Sequence, residues 1–221
     1  ARAGHSDGPV PVRGTLEGGA AAVAALVGRQ LAAPNDPEPS DPVPRDTTLA
    51  ARPRGRGILG LYTGGTLASE AKVLLGRAGL TGEILDLGDD RYTAGRPHPM
   101  IDPAARAEHV ARIGGRADIG LLLVDLVLGF GASPDPATPL ARAVRTARET
   151  ARRDGRELVV VGSVCGTGAD PQGIDAQRAI LREAGVHLCG SNAAAVRFAI
   201  AQVPIAQAPI APATPDHQEK P

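Results

Sequence analysis

Ile119-Gly120-Leu121-Leu122-Leu123-Val124-Asp125-Leu126 is a nearly unbroken apolar run. A strand with one wet face alternates apolar and polar side chains, because successive residues point to opposite faces of the sheet. A strand covered on both faces does not alternate, and continuous runs of Leu, Ile and Val are the mark of a parallel sheet with helices on either side. Residues 119–126 are therefore read as a strand of such a sheet. Asp125 is the exception inside the run, and a charge in so apolar a setting needs a partner.

Working outward, similar apolar stretches recur at 57–62, 83–87, 157–164 and 186–189, and helix-length segments separate them at 66–78, 102–113, 136–153 and 174–184, with a last helix at 191–202. Five strands alternating with helices give an α/β fold. Right-handed crossovers then make a flavodoxin-like, doubly wound five-stranded parallel sheet the economical topology. The globular domain is expected over 55–202. Ahead of it lies an N-terminal extension (1–33) with an Ala-rich helix at 17–32, then a Pro-rich linker (34–54). Residues 203–221 read as a disordered tail rich in Pro and Ala.

Composition narrows the function classes. The chain has 221 residues, 43% of them hydrophobic, enough for one sizeable domain. Its 24 basic and 24 acidic residues cancel, which argues against a nucleic-acid stripe or an anionic membrane surface and leaves a small anionic ligand open. Lys72 and Lys220 are the only lysines, and the Ala, Gly, Pro and Arg bias points to a GC-rich genome. Cys165 and Cys189 are too few for a disulfide scaffold and lack zinc spacing, as expected in a reducing cytoplasm. No apolar run approaches the roughly 20 residues of a membrane helix, and residues 1–30 carry no signal-peptide pattern. The start at Ala1 suggests that something upstream is missing.

In doubly wound sheets the ligand sits beyond the carboxyl ends of the strands, so the loops there carry the candidates. The densest is 86–102, Asp-Leu-Gly-Asp-Asp-Arg-Tyr-Thr-Ala-Gly-Arg-Pro-His-Pro-Met-Ile-Asp, read as one long loop. Pro97 and Pro99 stiffen the backbone around His98, a candidate acid, base or ligand. Arg96 would clamp an anion, and Asp89, Asp90 and Asp102 together would suit magnesium. Plainer readings stand beside these: Asp102 as a helix cap, Asp86 bonding its own turn, and paired acids facing solvent.

At Tyr62-Thr63-Gly64-Gly65-Thr66 a strand runs into paired glycines and a helix. Gly64, Gly65 and Thr66 would seat a phosphate on free amides at the helix start. The alternative is a structural turn with Thr66 as N-cap and Ser69 or Glu70 as its capping partner. Asp125 is either catalytic or a buried acid satisfied by backbone amides. Residues 162–172 add Thr167, Asp170 and Gln172 as polar candidates, with Cys165 read as a small buried hydrophobe rather than a nucleophile. Gly190-Ser191-Asn192 looks like a helix cap. No metal is assigned.

The stretches 60–71, 86–102, 125–129 and 164–172 together resemble the C-terminal half of FdrA-type proteins, relatives of the succinyl-CoA synthetases, over roughly 55–201. The resemblance implies the CoA-ligase fold of the synthetase subunits, and ADP-forming acyl-CoA ligase chemistry in which helix N-termini grip a phosphate carried on histidine. It also implies departures. The synthetase α subunit carries that histidine in a Gly-His-Ala-Gly loop, and the matching stretch here, 166–173, has none. The N-terminal CoA-binding domain and ATP-grasp module that the full reaction requires are not found in these residues. The resemblance therefore implies a CoA-binding domain or subunit as partner, with CoA, nucleotide and magnesium belonging to the full assembly and no cofactor assigned to this domain itself. It further connects the chain with oxamate carbamoyltransferase in purine breakdown, and so with an acyl or carbamoyl phosphate as substrate. A domain that only assembles with an active partner, and a gene fragment with neither property, are the competing readings.

Overall fold

The structure, a computed structural model, describes residues 15–26, 28 and 57–203. Five parallel strands, β1 (Gly57–Tyr62), β2 (Glu83–Asp86), β3 (Ile119–Val127), β4 (Val159–Cys165) and β5 (Val186–Cys189), pair in the order β2-β1-β3-β4-β5. This is the flavodoxin-like doubly wound order, with β3 central as its apolar run demands. Among the described residues seven α-helices accompany them: α1 (Leu16–Leu26), α2 (Gly65–Arg77), α3 (Asp90–Thr93), α4 (Ala104–Arg112), α5 (Ala137–Arg153), α6 (Ile174–Glu183) and α7 (Asn192–Gln202).

Both faces of the sheet are dry, which is why β3 does not alternate. Leu122, Val124 and Leu126 face a core shared with Val110 of α4, Leu140, Val144 and Ala147 of α5 and Leu181 of α6. Leu121 and Leu123 point the other way, into a second core with Ala68, Ala71 and Leu75 of α2 and Ala195, Val196 and Ala199 of α7. At about 25 cal/mol per Å² of apolar surface removed from water, these two layers supply the main driving force for folding.

Several boundaries move. The loop expected to be uniform over 86–102 contains the one-turn helix α3, started by Asp89, whose side chain accepts from the Arg91 amide at 3.1 Å. Local capping overrode a Gly- and Pro-rich neighbourhood. Among the described residues the Ala-rich helix occupies Leu16–Leu26, and positions 27 and 29–32 of its expected span lie outside them. It is fastened to the body: the Leu16 amide donates to Glu70 Oε1 at 2.7 Å, Arg197 pairs with Glu17 at 3.1 Å, and Ala24 is buried. The proposed linker and almost all of the tail lie outside the described residues. Among the described residues, no helix is long and apolar enough to cross a membrane.

His187 of β5 stacks on Phe198 of α7, centroids 4.0 Å apart and planes at 17°, and burial pulls its pKa below the ordinary 6.5. Because the folded value is the lower one, the unfolded chain binds the proton first as pH falls. Stability from this contact is complete above pH about 6.5 and declines as pH drops from there through the folded pKa. Urea midpoints at pH 7.5 and 5.5 should therefore separate less in His187→Leu than in the parent. An equal separation would show that the stack is not pH-linked.

Candidate functional site at the strand crossover point

β1 and β3 are neighbours, yet the chain leaves β1 toward β2 on one side and β3 toward β4 on the other. The crevice where those directions part is the expected ligand seat of this topology. Its floor is a buried ion pair. Asp125, 1% exposed, accepts from the Thr63 amide at 2.9 Å and the Thr63 hydroxyl at 2.5 Å. Arg106 of α4, 2% exposed, reaches over the strand end and donates through Nη1 to Asp125 Oδ1 at 2.8 Å and to its carbonyl at 2.6 Å. Burial holds the Arg106 pKa below its usual range against the pull of Asp125. Tyr62, fully buried on the α2 side, has no hydrogen-bond partner for its hydroxyl among the described residues. Burial first, then the Asp125 and Glu70 carboxylates, push its phenol above the ordinary value.

Arg106 escaped the sequence reading, although a signal was present. It shares one helical face with Val110 and Ile113, both buried, by the 3–4 residue spacing of a core-facing stripe. A lone arginine on such a stripe calls for a buried acid, and Asp125 was the acid without a partner.

Above this floor lies the start of α2. Gly64, not Thr66, is the N-cap residue; its extended backbone (φ −164°, ψ 155°) gives no side-chain cap, and the helix begins at Gly65. Thr66 falls inside the first turn. Glu70, the suggested capping partner, is turned instead toward the Leu16 amide and the Asn192 side-chain amide, at 2.7 and 2.8 Å. The first amides of α2 therefore keep the anion-favouring character of an uncapped N-terminus, with Gly65 and Thr66 exposed.

Two loops meet this helix start. Asp86 at the end of β2 accepts from the Gly88 amide through Oδ1 at 2.9 Å, and its Oδ2 abuts Gly65, where a β-carbon would stand 2.9 Å away. Gly88 in turn has no room for a side chain, since a β-carbon would strike His98 Nε2 and lie 2.7 Å from Thr63 O. Gly65, Asp86, Gly88, Thr63 and His98 thus crowd one rim. The Met100 amide donates to His98 Nδ1 at 3.2 Å, which leaves the proton of the neutral ring on Nε2, facing that rim. His98 is set up as a donor there, not as a nucleophile. Arg96 is exposed two residues earlier.

Residues 61–202 match the family described as CoA-ligase. The chain belongs to the CoA-ligase family. It is also similar to the uncharacterized protein YahF of Escherichia coli strain K12, at 30% identity over 174 residues, which cover 69% of this chain and 34% of YahF. The chain thus spans about a third of the length of that relative. The five-stranded parallel α/β sheet is consistent with a CoA-ligase domain of the succinyl-CoA synthetase kind.

The remaining candidates of this CoA-ligase domain are not gathered at the crevice. Asp89 caps α3 and pairs with Arg91 at 3.3 Å, Asp90 is exposed, and Asp102 accepts from the Ala104 amide at 2.9 Å at the start of α4. Among the described residues no group of three or more His, Cys, Asp or Glu is placed to hold a metal, so these aspartates do not form a magnesium cluster. Asp170 is used within its own turn, accepting from the Thr167 amide at 2.5 Å and the Thr167 hydroxyl at 3.2 Å. Cys165 is exposed at the end of β4, contrary to the buried role expected of it. Partial burial, with Asp125 and Asp170 nearby, pushes its thiol up, away from a reactive thiolate. Ser191 does cap α7, accepting from the Ala194 amide at 3.1 Å.

Gln172 has a part that its sequence position did not show. Its side chain donates to Gly129 O at 2.8 Å and Ser133 O at 3.1 Å and accepts from the Gly129 amide at 3.3 Å, clamping the loop after β3. The Ser133 amide joins that loop to Met100 O at 2.7 Å, next to His98. Phe130, at the tip between two glycines of positive φ, is 88% exposed.

Proposed function

We propose that this CoA-ligase domain is the C-terminal part of an FdrA-type, acyl-CoA synthetase-like enzyme that transfers an acyl or carbamoyl group through a phosphate-bearing intermediate in the cytoplasm. A single observation supports the reading most: the uncapped start of α2, with His98 Nε2 on the same rim, set on the Thr63–Asp125–Arg106 anchor. The amides of Gly64, Gly65 and Thr66 would receive the phosphate of an acyl or carbamoyl phosphate. Arg96 would neutralise its charge, and the His98 Nε2 proton would stabilise oxygen charge as the mixed anhydride breaks. Asp125 has its carboxylate saturated by Thr63 and Arg106, so we assign it to holding Thr63 and the first turn of α2 in place. Asp89, Asp90, Asp102, Thr167, Asp170 and Gln172 shape the loops. The acceptor, a CoA-binding domain or subunit and any nucleotide and magnesium belong to the larger assembly, as in an oxamate carbamoyltransferase.

Titration calorimetry with carbamoyl phosphate and acetyl phosphate tests this. Saturable binding is expected, lost in Gly65→Val, whose side chain would meet Asp86, with the circular dichroism spectrum unchanged. No binding by the parent chain would refute the phosphate seat. A second reading, a non-catalytic assembly domain, is favoured by Phe130, an aromatic held out to solvent by a clamped loop. It predicts no phosphate binding together with tight association to a CoA-binding partner.

A further inference from the structure

At the opposite, amino-terminal edge of the sheet, the end of α5 and the entry to β4 enclose a pocket of about 420 Å³ lined by Arg148, Arg152, Gly155, Arg156, Glu157 and Leu158. Three arginines line it beside one glutamate, and Asp154 next to it pairs with Arg156. Two of the three are held in place. Arg156 is 7% exposed, fixed by the carbonyls of Gly114 and Arg116 and by Asp154 at 3.1 Å. Arg148 lies over Gly185, whose β-carbon, were there one, would run into Nη1, and it donates to Ala184 O and Gly185 O at 3.3 and 3.4 Å. Gly185 has φ +82°, so glycine both makes the turn and leaves the space the guanidinium fills.

Basic side chains at a helix C-terminus complement its dipole, and Arg152 alone would need no more than that. Seating three cations around one cavity costs mutual repulsion, and here two of them, Arg148 and Arg156, are ordered before anything arrives. Guanidinium groups fixed in this way bind phosphate oxygens through paired, charge-assisted hydrogen bonds. The volume exceeds what one phosphate fills, and the three arginines leave the site net positive even with Glu157 in the lining and Asp154 paired to Arg156. We infer that this pocket binds a diphosphate, free or carried on a small organic group, at a site separate from the α2 crevice.

The test uses the whole chain carrying Gly65→Val, which closes the crevice and leaves this edge untouched. Calorimetric titration with inorganic pyrophosphate should show one saturable site. Arg152→Met, a substitution of an exposed side chain, should weaken it about tenfold or more, and Arg148→Met added to it should abolish binding. Inorganic phosphate should bind at least tenfold more weakly than pyrophosphate. Titration with ADP separates the two sources: binding comparable to pyrophosphate means the pocket admits a carried diphosphate, and much weaker binding confines it to the free ion. Absence of pyrophosphate binding, binding unchanged in the arginine variants, or equal affinity for phosphate and pyrophosphate would each overturn the inference. Because the crevice is already closed, these results are independent of whether acyl phosphates bind there.

Discussion

Arg106→Met is expected to cost about 3–5 kcal/mol in urea unfolding, because it leaves the Asp125 carboxylate buried without its cation. Domains of this size rest on some 5–15 kcal/mol in all, so the variant should be close to the edge of folding at physiological temperature. Adding Asp125→Asn to the same chain removes the stranded charge while leaving a carbonyl oxygen for the Thr63 amide. About 1–3 kcal/mol should return. A single variant that unfolds within about 1 kcal/mol of the parent would mean that the pair contributes nothing net. Since Thr63 immediately precedes the glycine pair of α2, the rescued double variant also reports whether the anchor matters to acyl phosphate affinity separately from its effect on stability.

The second large effect is expected from one added methyl group. In Gly88→Ala the new β-carbon meets His98 Nε2 and the Thr63 carbonyl at once. The imidazole can swing away, but the backbone oxygen cannot, so overpacking should cost about 1–3 kcal/mol while the ring leaves the rim. A displacement of that order in a positioned group is worth on the order of a hundredfold in rate. Turnover of the full assembly should fall by that factor, and the His98 ring resonances should shift by NMR. A variant with parental activity and unmoved His98 resonances would take His98 out of the chemistry.

The fold was legible because burial leaves a trace that pairing does not obscure. Residues 119–126 could be read as a strand of a parallel sheet covered on both faces from their lack of alternation, and right-handed crossovers made the flavodoxin-like topology the economical one. Ends were less legible. The helix α2 starts at Gly65 and not after Thr66, since Gly64 in extended conformation sets the first turn without any capping side chain. The turn α3 sits among residues that disfavour helices and exists because Asp89 caps it locally. At the site, residues that act through their own backbone neighbourhood, such as Gly65 and His98, were visible as unusual local sequence. Arg106 was not, and Gln172 was visible as a polar candidate but not as a clamp, because each works on a partner 19 or about 40 residues away, and a single sequence does not show which distant groups meet. Arg96 was visible as Gly65 and His98 were, through its neighbours, and lies exposed two residues before His98.

The clasp between Arg197 and Glu17 joins groups 180 positions apart. Closing so long a loop costs entropy that only a finished sheet can offset, so the amino-terminal helix settles last in folding and lifts first under denaturing stress. Its release would strip Glu70 of the Leu16 amide and open the α2–α7 face to water before any strand had parted from its neighbour. Unfolding of this molecule thus begins at the seam between its two sequence extremes and not at the crevice.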